Sequence, residues 1–121
     1  MSIITLILAG IVALEHLYIM YLETFATHSD TTSRVFNMSK EELQRDSVTN
    51  LFKNTGIYNG LIAVFLLYGI FTNSQLLVTV FVLNVFFAAV YGAVTAANKK
   101  IIFTQGGPAI LTLFSLIISL F

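Results

Sequence analysis

Apolar side chains cluster into four runs, at about residues 3–25, 56–71, 75–97 and 101–121, separated by one long polar stretch and two short links. A helix needs about 20 predominantly apolar residues to cross a bilayer, and each run reaches that length, the second only with its polar lead-in. The short links are Thr72-Asn73-Ser74 and Asn98-Lys99-Lys100. The long one, residues 26–54, contains Ser39-Lys40-Glu41-Glu42, a capping box with Ser39 as N-cap and Glu42 at N3. Met38 and Leu43 stand where a hydrophobic staple would close over that start. The pattern predicts a helix from there toward Lys53, with a weak apolar face of Leu43, Val48, Leu51 and Phe52 that suits it to lie on the membrane surface. The predicted architecture is all-α: an integral membrane four-helix bundle, one transmembrane domain, with a cytoplasmic interfacial helix between the first two spans.

Composition sharpens this. Of 121 residues, 57% are hydrophobic and 10% charged, and mean hydropathy is +0.88. A soluble domain this small has too much surface for its volume to hide so much apolar area, so lipid must cover part of it. Net charge is +0 with no basic patch, so no nucleic-acid partner is expected. There is no cysteine, which excludes disulfide and thiolate chemistry. The first run lacks a basic lead and a small-residue cleavage pattern, and reads as a span rather than a cleaved leader.

All six basic residues, Arg34, Lys40, Arg45, Lys53, Lys99 and Lys100, fall in the first and third links. The positive-inside rule makes that side cytoplasmic and places both termini outside. On that side the glycosylation match Asn37-Met38-Ser39 is accidental.

Ionisable groups at membrane depth are costly and mark functional sites. Here they lie in Leu14-Glu15-His16-Leu17-Tyr18-Ile19-Met20-Tyr21-Leu22-Glu23. At about 100° per residue, Glu15, His16 and Glu23 share one arc of roughly 100°, with Glu15 near mid-bilayer and Glu23 about 12 Å nearer the cytoplasm. A central carboxylate costs about 3 kcal/mol while each Leu or Ile returns about 0.5, so Glu15 is expected to face protein or water. No Lys or Arg lies in any run. The partners left to Glu15 are a proton, His16, a hydroxyl or amide donor, water or an incoming cation. Glu15, His16, Glu23 and His28 do not pair at the i,i+3 or i,i+4 spacing of helical metal ligands, so neither a metal nor another cofactor is expected.

Other polar residues fall at matching depth. The second run opens with Asn54-Thr55-Gly56-Ile57-Tyr58-Asn59-Gly60, the third carries Asn84, Ala88, Tyr91, Thr95 and Asn98 on one stripe, and the fourth opens with Thr104-Gln105-Gly106-Gly107-Pro108. Under the assigned topology Glu23, Asn54, Tyr58, Asn59, Tyr91, Thr95, Asn98 and Gln105 all lie toward the cytoplasm. Together they suggest a polar cavity open to that side and floored by Glu15. The plainer reading makes each Asn or Tyr an interhelical contact or interfacial anchor, and Glu15 a neutral packing group.

Glu15-His16-Leu17-Tyr18-Ile19 with Glu23 and Phe25, Asn54-x-Gly56-x-Tyr58-Asn59-Gly60, Tyr91-Gly92 and Gln105-x-x-Pro108-Ala109 resemble a family of short bacterial four-helix membrane proteins. That family is known only as a domain of unknown function (number thirteen-oh-four). The resemblance covers essentially the whole chain, with Thr55 standing where the family pattern has Gln. It implies four helices and a shared site in the residues just named, and no established activity. By architecture alone the chain is also similar to the small multidrug resistance transporters, with four helices and a glutamate in the first. Those work as antiparallel dimers, whereas one-sided charge favours a monomer or a parallel homo-oligomer here.

The leading expectation is a small transporter or ligand-binding membrane protein for a cationic or lipidic small molecule. Glu15 takes up a proton or cation, His16 partners it and Glu23 stands at the mouth, with Tyr18, Tyr58, Tyr91, Asn54, Asn59, Asn98 and Gln105 shaping the pocket. Two alternatives are an embedded enzyme acting on a lipid or isoprenoid, with Glu15 and His16 as acid and base, and a structural or accessory subunit.

Overall fold

The structure, a computed structural model, describes residues 1–95, 100 and 104–120. Among them every regular element is helical: α1 (Ile3–Met20) continuing into a π-helical turn (Tyr21–Phe25), α2 (Asp30–Phe36), α3 (Lys40–Leu43), α4 (Asp46–Phe71), α5 (Gln75–Thr95) and α6 (Gly106–Ile118). Three helices are long and apolar enough to cross a membrane: Ile3–Phe25, Asp46–Phe71 and Gln75–Thr95. The fourth apolar run contributes a shorter helix of 13 residues. The chain forms two compact units, Met1–Glu15 with Ala63–Phe121, and His16–Ile62.

In the first unit the buried positions recur every three or four residues, as a helix facing a neighbour requires. Val78, Val82, Val85, Ala89 and Ala93 form the inner stripe of α5, and Gly106, Ala109, Thr112 and Leu116 that of α6. Ala9, Val12 and Ala13 of α1 and Ala63 and Leu66 of α4 are equally buried. Small side chains let backbones come close, and dispersion then holds helices together where lipid removes the hydrophobic drive. At Gly69 a β-carbon would stand 3.0 Å from Leu77 Cβ and 3.3 Å from Val78 N, so glycine sets the approach of α4 to α5. Phe65 and Phe81 extend that contact, their ring centres 5.6 Å apart.

The turn between α4 and α5 closes through Asn73, left-handed at φ 52°. Ser74 N donates back to Gly69 O at 2.8 Å, and Ser74 Oγ accepts from Leu77 N at 3.2 Å, so one residue ends a helix and starts the next. α1 and α6 are joined by hydroxyls. Ser115 Oγ donates to Thr112 O (2.7 Å), which leaves it to accept from Thr5 Oγ1 (2.8 Å), itself 2.9 Å from Ser2 Oγ.

In the second unit the polar stretch is not one helix. α2 starts on Ser29, whose Oγ accepts from Thr32 N, and stops at Asn37 in the left-handed region at φ 53°. α3 starts on Ser39 as the capping box requires, Ser39 Oγ accepting from Glu42 N at 3.1 Å, and Leu43 is fully buried. The expected run from Ser39 to Lys53 is interrupted at Gln44 and Arg45. α4 begins afresh at Asp46, so residues 46–55 are the first turns of the long helix α4 and not a separate surface helix. Hydropathy located only the part of α4 suited to lipid; the helix itself extends beyond it on polar residues. Phe36 packs edge-on against Phe52 at 5.2 Å, tying α2 to α4.

Candidate functional site

The polar centre of His16–Ile62 is built where α1 changes period. Ala26 N donates to Tyr21 O at 2.9 Å, a bond five residues back instead of four. Such a turn is wider, and its carbonyls need other donors. Threonines supply them. Thr27 Oγ1 donates to Glu23 O (2.6 Å), and Thr32 Oγ1 lies 3.2 Å from Leu22 O and 2.7 Å from Ala26 O. Thr24 Oγ1 reaches across to α4 and donates to Lys53 O at 3.0 Å.

The π turn presents Glu23 to α4. Its side chain is only 5% exposed, and Asn59 Nδ2 donates to its Oε1 at 2.6 Å. A buried carboxyl without such a donor would lose its hydration uncompensated. Two glycines on α4 allow the approach. A β-carbon at Gly56 would strike Thr24 Oγ1 and stand 3.0 Å from both Glu23 Cβ and Thr24 N, and one at Gly60 would strike Met20 Sδ. Glu23, Asn59 and Gly56 are thus one arrangement: glycine admits the helix and asparagine meets the acid.

Two turns earlier on α1, Glu15 Oε1 is buried and has no hydrogen-bond partner among the described residues. His16, next in the chain, is 4% exposed. The tyrosines named from sequence turn outward: Tyr18, Tyr58 and Tyr91 are 51%, 64% and 72% exposed. Asn54 is exposed and Gln105 half-buried. Asn98 lies outside the described residues. Of the residues named in advance, the described bonds join Glu23 with Asn59. Thr24, Thr27, Thr32 and Met20 were not anticipated. For the threonines the signal was their density around the end of the first apolar run, because Thr hydroxyls bond backbone carbonyls left over where helices end.

Beyond the π turn, Lys40 Nζ sits 2.7 Å from Asp30 Oδ1. That ammonium, by hydrogen bond and by charge, holds the Asp30 carboxyl below its usual range. Thr49 Oγ1 donates to Leu43 O at 2.6 Å, so His28 Nε2, 3.0 Å away, is the donor to that hydroxyl. No three His, Asp or Glu side chains converge as a metal ion would need, among the described residues. In the other unit a shallow groove is lined only by Phe86, Ile110, Leu113, Phe114 and Ile117.

Helices of this length and hydropathy, one of them carrying a buried acid, define a small all-helical protein with the capacity to cross a membrane. The chain belongs to the family described as "Protein of unknown function (DUF1304)", whose sequence profile matches residues 10–117. It is similar to an uncharacterized protein, YpaA, of Lactococcus lactis subsp. lactis (strain IL1403), at 61% identity over 117 residues that cover 95% of this chain and 98% of that one. No solved structure matches it.

Proposed function

We propose that the chain is a four-span membrane protein, a single transmembrane domain, that takes up a proton or small cation at Glu15 and couples it to binding or moving a small molecule. The observation that carries this is Glu15 Oε1, buried without a hydrogen-bond donor in a run that contains no Lys or Arg. A carboxylate in that position must acquire a proton or a cation, because leaving it charged and unpaired in a low-dielectric interior costs several kcal/mol. His16 is the adjacent group able to exchange a proton with it. Glu23 with Asn59 is a second polar station further along the same helix, toward the side of the basic links. The fourth span is the apolar run that contains α6. The basic links face the cytoplasm and both termini face outward.

The test is proton movement into liposomes holding a pH-sensitive dye. Wild-type chain should carry protons down an imposed pH gradient, and Glu15→Gln should reduce the rate at least tenfold with insertion unchanged. A matching infrared measurement should lose one carboxyl band in the pH-difference spectrum of Glu15→Gln. Equal proton flux in the two proteins would remove the proposal.

A further inference from the structure

The outer face of α5 carries an amide with nothing to bond. Asn84 is exposed and makes no hydrogen bond among the described residues. The inner stripe, Val78, Val82, Val85, Ala89 and Ala93, lies on the opposite side of the helix. At about 100° per residue, Val80, Asn84, Phe87, Ala88 and Tyr91 share an arc of about 100°, and all five are exposed. α5 runs Gln75–Thr95, so Asn84 stands about 14 Å from its start at 1.5 Å per residue, close to the centre of a hydrocarbon layer about 30 Å thick. Acyl chains offer neither donor nor acceptor there, and headgroups and bulk water are out of reach.

We propose that this face is the contact between two parallel copies of the chain, paired through Asn84. A primary amide carries both donor and acceptor, so it complements itself across a two-fold axis along the membrane normal, which places residue 84 of each copy at one depth. Polar side chains hydrogen-bond across helices in this way in membranes. Ala88, one turn on, lets the helices approach, and Val80, one turn back, packs beneath them. The parallel sense follows from the basic residues, which lie in the first and third links and so insert every copy in one orientation. The inference rests on reading α5 as a span and is independent of what Glu15 binds.

Because the chain has no cysteine, single-cysteine variants report the interface directly. Oxidised in native membranes, Val80→Cys and Ala88→Cys should each give a cross-linked dimer, whereas Leu111→Cys, exposed on α6, should stay monomeric. With donor- and acceptor-labelled chain diluted into phosphatidylcholine vesicles, Asn84→Leu should raise the dissociation constant about tenfold, while Asn84→Gln should keep it near the wild-type value. Asn84→Leu adds only apolar surface on a lipid-facing side, so insertion and folding should survive it.

Equal dissociation of wild type and Asn84→Leu would overturn the proposal, as would cross-linking of Leu111→Cys as efficient as that of Val80→Cys. Cross-linking between positions 80 and 88 without 80-to-80 pairs would overturn the parallel sense. A chain that is membrane-bound but monomeric, or cross-linked at position 80 only to a different protein, would sink the dimer alone. Recovery of the chain in the soluble fraction would sink the span reading with it.

Discussion

In Met1–Glu15 with Ala63–Phe121, helices meet over alanine, valine and leucine, with a row of hydroxyls from Ser2 to Ser115 as a polar seam among the described residues. In His16–Ile62 the contacts are side chain to carbonyl, amide to carboxyl, and backbone to backbone at glycine. The difference follows from helix regularity. A regular helix satisfies its own amides and carbonyls and needs only shape to pack. Where α1 opens into a π turn, carbonyls are freed, threonines must answer them, and an acid can be held beside them. Among the described residues the irregular turn and the buried acid–amide pair therefore occur together in one unit, while the other keeps regular helices whose buried polar groups are the hydroxyls of Thr5 and Thr112 and the unbonded Glu15 Oε1.

The sharpest way to break that comparison is at glycine. Gly56→Ala should destabilise the fold by about 2–3 kcal/mol, because a β-carbon there meets the backbone of Thr24 as well as side chains. Gly10→Ala, with nothing within 4 Å of the added carbon, should change stability by less than about 1 kcal/mol and toward greater stability. Unfolding of purified protein by added denaturing detergent measures both; comparable losses would erase the contrast. Next, Asn59→Ala should cost about 1–3 kcal/mol by removing the donor to buried Glu23, and Glu23→Gln in that background should recover part of the loss. Thr5→Val breaks the hydroxyl row and should cost about 1 kcal/mol or less, the usual worth of an interhelical bond in a membrane.

The smallest effect lies at Asp30 and Lys40, both well exposed. Folding lowers the Asp30 carboxyl, so the pair stabilises above the ordinary carboxylate range near pH 4 and loses that contribution as pH falls through the lowered value. Carbon-13 titration of Asp30 should show the downward shift, and Lys40→Met should abolish it with little change in unfolding midpoint.

Much of the architecture was legible because apolar run length and cap chemistry are local. The first apolar run coincides with a helix long and apolar enough to cross a membrane, Ile3–Phe25, and Ser39 caps a helix as its spacing to Glu42 required. α2 was missed although Ser29 and Asn37 flank it, because its seven residues carry no apolar period. The π turn has no composition signature, so the bond pattern around Glu23 was out of reach. The pairing of Glu23 with Asn59 depends on how α4 is rotated, which Gly56 and Gly60 set through close approach. Tyr58 and Tyr91 show the converse difficulty. A tyrosine suits a cavity wall and a lipid boundary equally, so its place on a polar stripe did not say which way it faced. The same ambiguity hid the outward turn of Asn84.

Because the turn at Tyr21–Phe25 closes over five residues rather than four, it shifts the phase of the helix as an inserted residue would. The helix ends with it at Phe25, so the direction in which the chain leaves through Ala26 is set by the wider turn rather than by an unbroken α-helix. Removing a single residue from this stretch would rewind it as an α-helix and swing the side chains beyond the deletion within the turn by about 100°. The chain is therefore far less tolerant of length changes here than at the exposed corner around Asn37.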